Sequence, residues 1–362
     1  MSRLSATTAF APPSPRSLAI FVSRWRRSVS RSFLAVQGRW RCNLGQDYPN
    51  HRSRGECYEF AMDRFPKLTT RAVLLSTLFF GSGVSCGEIQ SPVSRGAEVG
   101  KESLMQQIDH PAVNAALFFP RPATGLPAPR GSEDLTISVG SGVTVAARYH
   151  PSDLSLPTVL HFHGNGEIVP DYDSIAPAFH SAGASLVSAD YRGYGSSTGS
   201  PSVSSLLDDA PVVLDHVIAF LKERGHTGPL VVMGRSMGSA PAIELASTRG
   251  GDIAGLIVES GFAQTPPLLT LFGISLESLG LRDLSGTDNE DKMAKVRMPV
   301  LVLHAERDVL LPPWNGERIH ERAASDEKRL VMIPDADHNT IMAFGGSLYW
   351  GAIAEFLAML GK

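Results

Sequence analysis

Leu230-Val231-Val232-Met233 runs directly into Gly234-Arg235-Ser236-Met237-Gly238, and Ser239-Ala240-Pro241-Ala242-Ile243 follows. An apolar run of strand length thus feeds a G-x-S-x-G, and a helical stretch over Gly238–Ser247 leaves it. Motifs this short recur by chance. The strand before and the helix after are the context that gives this one meaning. So tight a strand-to-helix turn has no room for a Cβ at Gly234 or Gly238. It lifts Ser236 clear over a helix N-terminus, where developing negative charge is favoured. Ser236 is the candidate nucleophile.

Working upstream, Leu135–Val139 and Val143–Tyr149 flank Gly140-Ser141-Gly142 and read as a hairpin. Thr158–Phe162 is a short apolar strand ending in His163-Gly164-Asn165-Gly166, and a helix is expected over Ser174–Ala182. Ala184–Ala189 is the next strand, ending in Asp190-Tyr191-Arg192-Gly193-Tyr194-Gly195. Val203–Arg224 has Leu206, Ala210, Val213, Leu214, Val217, Phe220 and Leu221 at helical spacing, with Pro211 near its beginning. Downstream, Ile253–Val258, Pro299–His304 and Arg329–Ile333 read as strands and Tyr349–Leu360 as the closing helix. This alternation implies an α/β fold with a mostly parallel sheet and helices on both faces. The functional site of such a sheet lies at the carboxyl ends of its strands.

A serine hydroxyl needs a base to act as a nucleophile. Of the 11 histidines, His338 fits best, because it follows the last strand in Pro334-Asp335-Ala336-Asp337-His338-Asn339. The acid that orients it should follow the preceding strand, which points to Asp308 in Ala305-Glu306-Arg307-Asp308. Glu306, Asp335, Asp337 and Glu259 are its rivals. Backbone amides fixed in advance would stabilise the oxyanion of an acyl-transfer step. Met237 and Asn165 are the candidate donors, with Gly164 and Gly166 letting the backbone come close. His163 reads as a structural histidine of that loop.

Together these segments resemble the α/β-hydrolase superfamily. The nearest likeness is to the group of bacterial serine hydrolases, Bem46-like proteins, serine-aminopeptidase-S33-type hydrolases and depalmitoylating α/β-hydrolases. It rests on Phe162-His163-Gly164-Asn165-Gly166, Asp190 to Ser197, Gly234 to Ser239 and Asp337-His338-Asn339, and it covers the chain from about Asp134 onward. The resemblance implies an α/β-hydrolase fold and a Ser236–His338–Asp308 triad, with Asp190–Ser197 as a loop at the site rim. One departure is His304-Ala305, where the family commonly has His-Gly before the acid loop.

Between Glu259 and Lys292 lies the usual cap position. It is short and carries Phe262, Leu268, Leu269, Leu271 and Phe272. That reads as a wall over an acyl pocket, with Phe262 and the Gly164 turn as substrate contacts, or equally as a helix packed on the core. The expected substrate is a small molecule bearing an acyl ester or thioester, its acyl length not readable from the sequence, with no metal and no cofactor. A peptidase would need acids to hold a substrate amine, and Glu167, Asp171 and Asp173 near the oxyanion loop are candidates. A non-catalytic binding protein of the same fold would need a broken triad. Dehalogenases and epoxide hydrolases of this fold carry Asp where Ser236 stands.

The 362 residues are 43% hydrophobic and 19% charged, with a net charge of -3. Charge placement is more informative than the net value. Residues 1–86 carry a net +9, leaving -12 for 87–362, so no basic stripe suits nucleic acid. Residues 1–61 form a basic extension; from Met1 to Gln46 it is Arg-rich, Ser-rich and free of acids, as in an organelle transit peptide or an untranslated leader. Residues 62–86 resemble a secretion signal: Arg64, Lys67 and Arg71, then Ala72–Phe80, then small residues to Cys86. Export follows if the chain starts at Met62, and a lipidated Cys86 would tether it to a membrane. The remaining cysteines, Cys42 and Cys57, also lie upstream. Residues 87–133 read as a linker with a helix near Lys101–Gln107 and Ala115–Pro120 against the domain edge. The catalytic domain is placed at 134–362.

Overall fold

Strand β1 is Glu133–Ser138, β2 Thr144–His150, β3 Thr158–Phe162, β4 Ser185–Ala189, β5 Leu230–Arg235, β6 Gly255–Glu259, β7 Val300–Ala305 and β8 Lys328–Ile333. They form one sheet in the order β1-β2-β4-β3-β5-β6-β7-β8. β2 runs antiparallel to both its neighbours, and all pairings from β4 to β8 are parallel. The computed structural model describes residues 108–361 except 124, 126, 276, 278–283, 285 and 286. The transit-like, signal-like and Cys86 readings, and the helix expected near 101–107, lie outside the described residues.

Every residue of β3, β4, β6 and β7 is buried, as a parallel sheet coated on both faces requires. Successive side chains point to opposite faces, so neighbours enter different cores. Leu160, Val187, Val232 and Leu256 pack with Leu214, Val217 and Ile243 on one side. Val159, Leu186, Val231 and Ile257 pack with Phe179, Tyr349, Ile353 and Phe356 on the other. The first coat includes α3 (Val203–Glu223) and α4 (Ser239–Thr248); the second includes α2 (Ala176–Ser181) and α8 (Ile341–Leu360). The hydroxyl of Ser202 caps α3 by accepting from the Ser205 amide at 3.1 Å. α3 begins at the expected Val203, and Pro211 lies inside the helix rather than in its first turn.

Four findings change the expected picture. Helix α1 (Pro111–Leu117) stands in the stretch read as a linker, and Phe118, in the segment expected against the domain edge, is buried in the core. Ala123 donates to the Gly195 carbonyl and Gly195 to that of Arg121. Residues 108–123 therefore belong to the folded unit, and 134 is too late a boundary. Short helices α5 (Thr265–Leu271), α6 (Asn289–Met293) and α7 (Trp314–Arg322) fill the cap and the segment after β7. Finally, α8 begins at Ile341 rather than Tyr349, because a kink at Gly346 (φ 43°) joins two helical pieces. By length and composition α8 could cross a membrane, but Tyr349, Ile353, Phe356 and Leu357 are buried against the sheet.

Candidate active site

β5 ends at Arg235, and Ser236–Gly238 forms one 3-10 turn before α4 begins. Ser236 has φ +50°, a left-handed backbone that costs about 1–2 kcal/mol for a side chain with a Cβ. The flanking glycines are demanded by contact. A Cβ at Gly234 would lie 2.2 Å from the Gly238 carbonyl oxygen, and one at Gly238 would lie 2.1 Å from that of Phe162. The elbow thus rests directly on the end of β3. Gly238→Ala is expected to destabilise the fold by about 3 kcal/mol or more, since backbone must move. Urea unfolding checks this, and a wild-type midpoint would contradict it.

His338 lies between β8 and α8 and is buried. Its Nε2 is 2.8 Å from Ser236 Oγ, and its Nδ1 is 2.7 Å from Asp308 Oδ2. With Asp308 ionised, Nδ1–H donates to the carboxylate and Nε2 is left to accept the serine proton. The other oxygen of Asp308 accepts from the amides of Leu310 (3.0 Å) and Leu311 (2.7 Å). Burial opposes the charge on Asp308. The adjacent His338 and the Leu311 amide outweigh it and hold the carboxyl below the usual aspartate range.

The rival acids are occupied elsewhere. Glu259 accepts from the Tyr349 hydroxyl at 2.6 Å, and burial raises its pKa. Asp337 builds the turn before α8 by accepting from the Asn339 and Thr340 amides and the Thr340 hydroxyl. Asp335 pairs with Arg307 at the exposed surface, and Glu306 is exposed. The His304-Ala305 departure leaves the acid loop in place. His304 donates from Nε2 to the Leu311 carbonyl at 2.8 Å, and burial keeps its pKa low. Sequence reasoning missed this histidine and Gly316 of α7, where a Cβ would lie 2.7 Å from the His304 ring.

At the loop after β3, Asn165 lines the same cavity as Ser236 and Met237. Its side-chain oxygen accepts from the Phe119 amide (3.0 Å) and the Tyr194 hydroxyl (2.6 Å), and its amide donates to the Leu117 carbonyl. The segment after α1 is thereby tied to the loop, a link the sequence did not signal. Gly164, expected as a substrate contact, is not among the residues that line the cavity. Its amide donates to Glu167 at 2.8 Å, and the adjacent Asn165 reaches the cavity wall instead. His163 is fully buried, 2.8 Å from the Gly164 carbonyl and 3.1 Å from Asp190, in the structural place expected of it. The three acids considered for an amine site are also committed. Glu167 faces Arg235, Asp171 pairs with Arg121, and Asp173 pairs with Arg148.

The cavity over Ser236 takes in about 890 Å³ of space when its open mouth is counted. Phe118, Leu206, Ala240, Phe262, Leu269 and Phe272 are among its walls, so the cap residues face the cavity rather than merely capping the core. Lys292 and Thr287 also line it; the Lys292 ammonium pairs with Glu244 at 2.8 Å. Among the described residues, no group of three or more His, Cys, Asp or Glu could hold a metal ion.

Residues 155–282 match the family described as serine aminopeptidase, S33. The bem46 protein of Schizosaccharomyces pombe is 32% identical over 208 residues, which are 56% of this chain and 68% of the relative. WAV2 of Arabidopsis thaliana, an α/β hydrolase domain-containing protein, is 27% identical over 242 residues, 62% of this chain and 78% of its own. Among solved structures, the Pyrococcus furiosus esterase Pf2001 matches with a TM-score of 0.54 at 19% identity. The match covers 67% of this chain and 99% of that one. At that identity the likeness speaks for the fold. The protein is an α/β-hydrolase enzyme. Within that superfamily the chain belongs to the Bem46-like group of serine hydrolases.

Proposed function

We propose that the protein hydrolyses carboxylic esters or thioesters of apolar acyl groups, with Ser236 as nucleophile, His338 as base and Asp308 as its orienting acid. The observation that carries this reading is the unbroken chain Asp308–His338–Ser236 opening onto an apolar cavity. Ser236 Oγ attacks the carbonyl carbon while His338 Nε2 takes its proton. The tetrahedral oxyanion lies between the Met237 and Asn165 amides, and the imidazolium returns its proton to the leaving group. Water, activated by the same imidazole, then releases the acid from the acyl-enzyme. The esterase named above supports the ester reading by fold alone. A peptidase is disfavoured because Glu167, Asp171 and Asp173 already have cationic partners.

Turnover of p-nitrophenyl esters from acetate to palmitate tests the proposal, and no turnover of any ester by folded protein would overturn it. Ala240 sits one turn along α4 from Ser236 and lines the cavity. Ala240→Leu is expected to lower kcat/KM for octanoate and longer esters by about tenfold or more, with acetate changed far less. An unaltered chain-length profile would remove this cavity as the acyl site.

A further inference from the structure

Arg235 stands immediately before Ser236, with its guanidinium turned inward and the residue 4% exposed. Its Nη2 donates to the backbone carbonyl of His338 at 3.2 Å. Its Nε lies 3.3 Å from Glu167 and 3.4 Å from Glu259. The second oxygen of Glu167 accepts from the Gly164 amide (2.8 Å) and the Tyr172 hydroxyl (2.7 Å). That of Glu259 accepts from Tyr349, and both acids are as deeply buried as the arginine.

Stability alone is a weak reason for such a cluster. Desolvating two carboxylates and a guanidinium costs several kcal/mol per ion, and apolar replacements are often no less stable. The connections supply a better one. A single guanidinium touches the loop that carries His338. Through Glu167 it reaches the amide beside Asn165, and it is covalently joined to Ser236. We infer that Arg235 is a positioning residue that fixes the base loop and the oxyanion loop against the nucleophile elbow. The inference rests on the hydrolase reading above. A lysine keeps the charge but lacks the planar guanidinium that sets Nη2 on the His338 carbonyl while Nε faces both carboxylates, so the two side chains are not equivalent here.

Arg235→Lys tests it by steady-state kinetics on a p-nitrophenyl ester, beside Tyr349→Phe. The second variant strips a hydrogen bond from the same cluster without touching either loop, so it reports the effect of lost stability alone. Arg235→Lys is expected to lose about 10–100-fold in kcat with KM little changed, as a displaced catalytic group does. Tyr349→Phe should keep most of its kcat. If Arg235→Lys does not fold, the charge-matched double variant Arg235→Met with Glu167→Gln is read in its place, with the same split expected. Full kcat in the Arg235 variant, or losses in both variants that track stability, would overturn the proposal. So would failure of both Arg235 variants to fold, which would leave the residue a folding role only. Wild-type protein without ester turnover would instead overturn the hydrolase reading, and this inference with it.

Discussion

Replacing Ser236 by alanine is expected to lower kcat for ester hydrolysis by about 10⁶-fold while the fold survives. The hydroxyl is the only protein group in the proposed mechanism that bonds to the acyl carbon, so no neighbouring side chain can take over its step. Oxyanion donors and the apolar cavity would remain, which is why residual turnover above that in water is expected. Alanine must still adopt the left-handed backbone seen at Ser236, but serine carries that strain too. The unfolding midpoint should therefore stay close to wild type. Initial rates on a p-nitrophenyl ester, with circular dichroism beside them, make the test. A loss of less than about 100-fold in a folded Ser236→Ala protein would exclude the serine as nucleophile.

Asp308→Asn should cost about 10⁴-fold in kcat with KM little changed. The asparagine oxygen can still accept the Leu310 and Leu311 amides, so the loop has reason to keep its shape. Its NH₂ then points at His338 Nδ1 and turns that nitrogen into an acceptor. The remaining proton moves to Nε2, facing Ser236, where a lone pair is needed. The same variant has a stability signature with a definite sign. Asp308 is held below the usual carboxylate range, so it contributes stability above its unfolded pKa of about 3.9. That contribution is lost as pH falls through the lower folded value. The stability gap between wild type and Asp308→Asn should thus be full near pH 7 and shrink below about pH 4. Parallel urea titrations at both pH values decide it, and a gap that widens in acid would contradict the assignment.

The parts of this architecture that could be read from the chain share one property: their signals are local. β3 matches its expected bounds because its five residues form a short apolar run, as a strand buried on both faces must. Ser236 is legible because two glycines bracket it, and the contacts explain both glycines. His338 and Asp308 are legible because each follows a strand in order. What could not be read is held by contacts between distant parts of the chain. The apolar Ala115–Pro120 stretch suggests packing on the domain edge, but nothing near Asn165 announces that Leu117 and Phe119 clasp its side chain, so the segment still reads as part of a linker. Polar α7 lacks the apolar stripe that marks a helix. Gly164 looked like a substrate contact because glycines favour close approach. In the structure the space beside it holds the Glu167 carboxylate. Glu167, considered for an amine site, instead faces Arg235 at the end of the neighbouring strand β5.

In the proposed mechanism Ser236 is a nucleophile activated by His338. Intact-mass measurement after exposure to a fluorophosphonate probe tests it most directly, because the reading needs no knowledge of the natural substrate. Wild-type protein is expected to gain one adduct, mapped to Ser236 in the digested peptide. Ser236→Ala should gain none, and His338→Ala should react far more slowly. A folded wild-type protein that stays unmodified, or an adduct that persists in Ser236→Ala, would contradict the account.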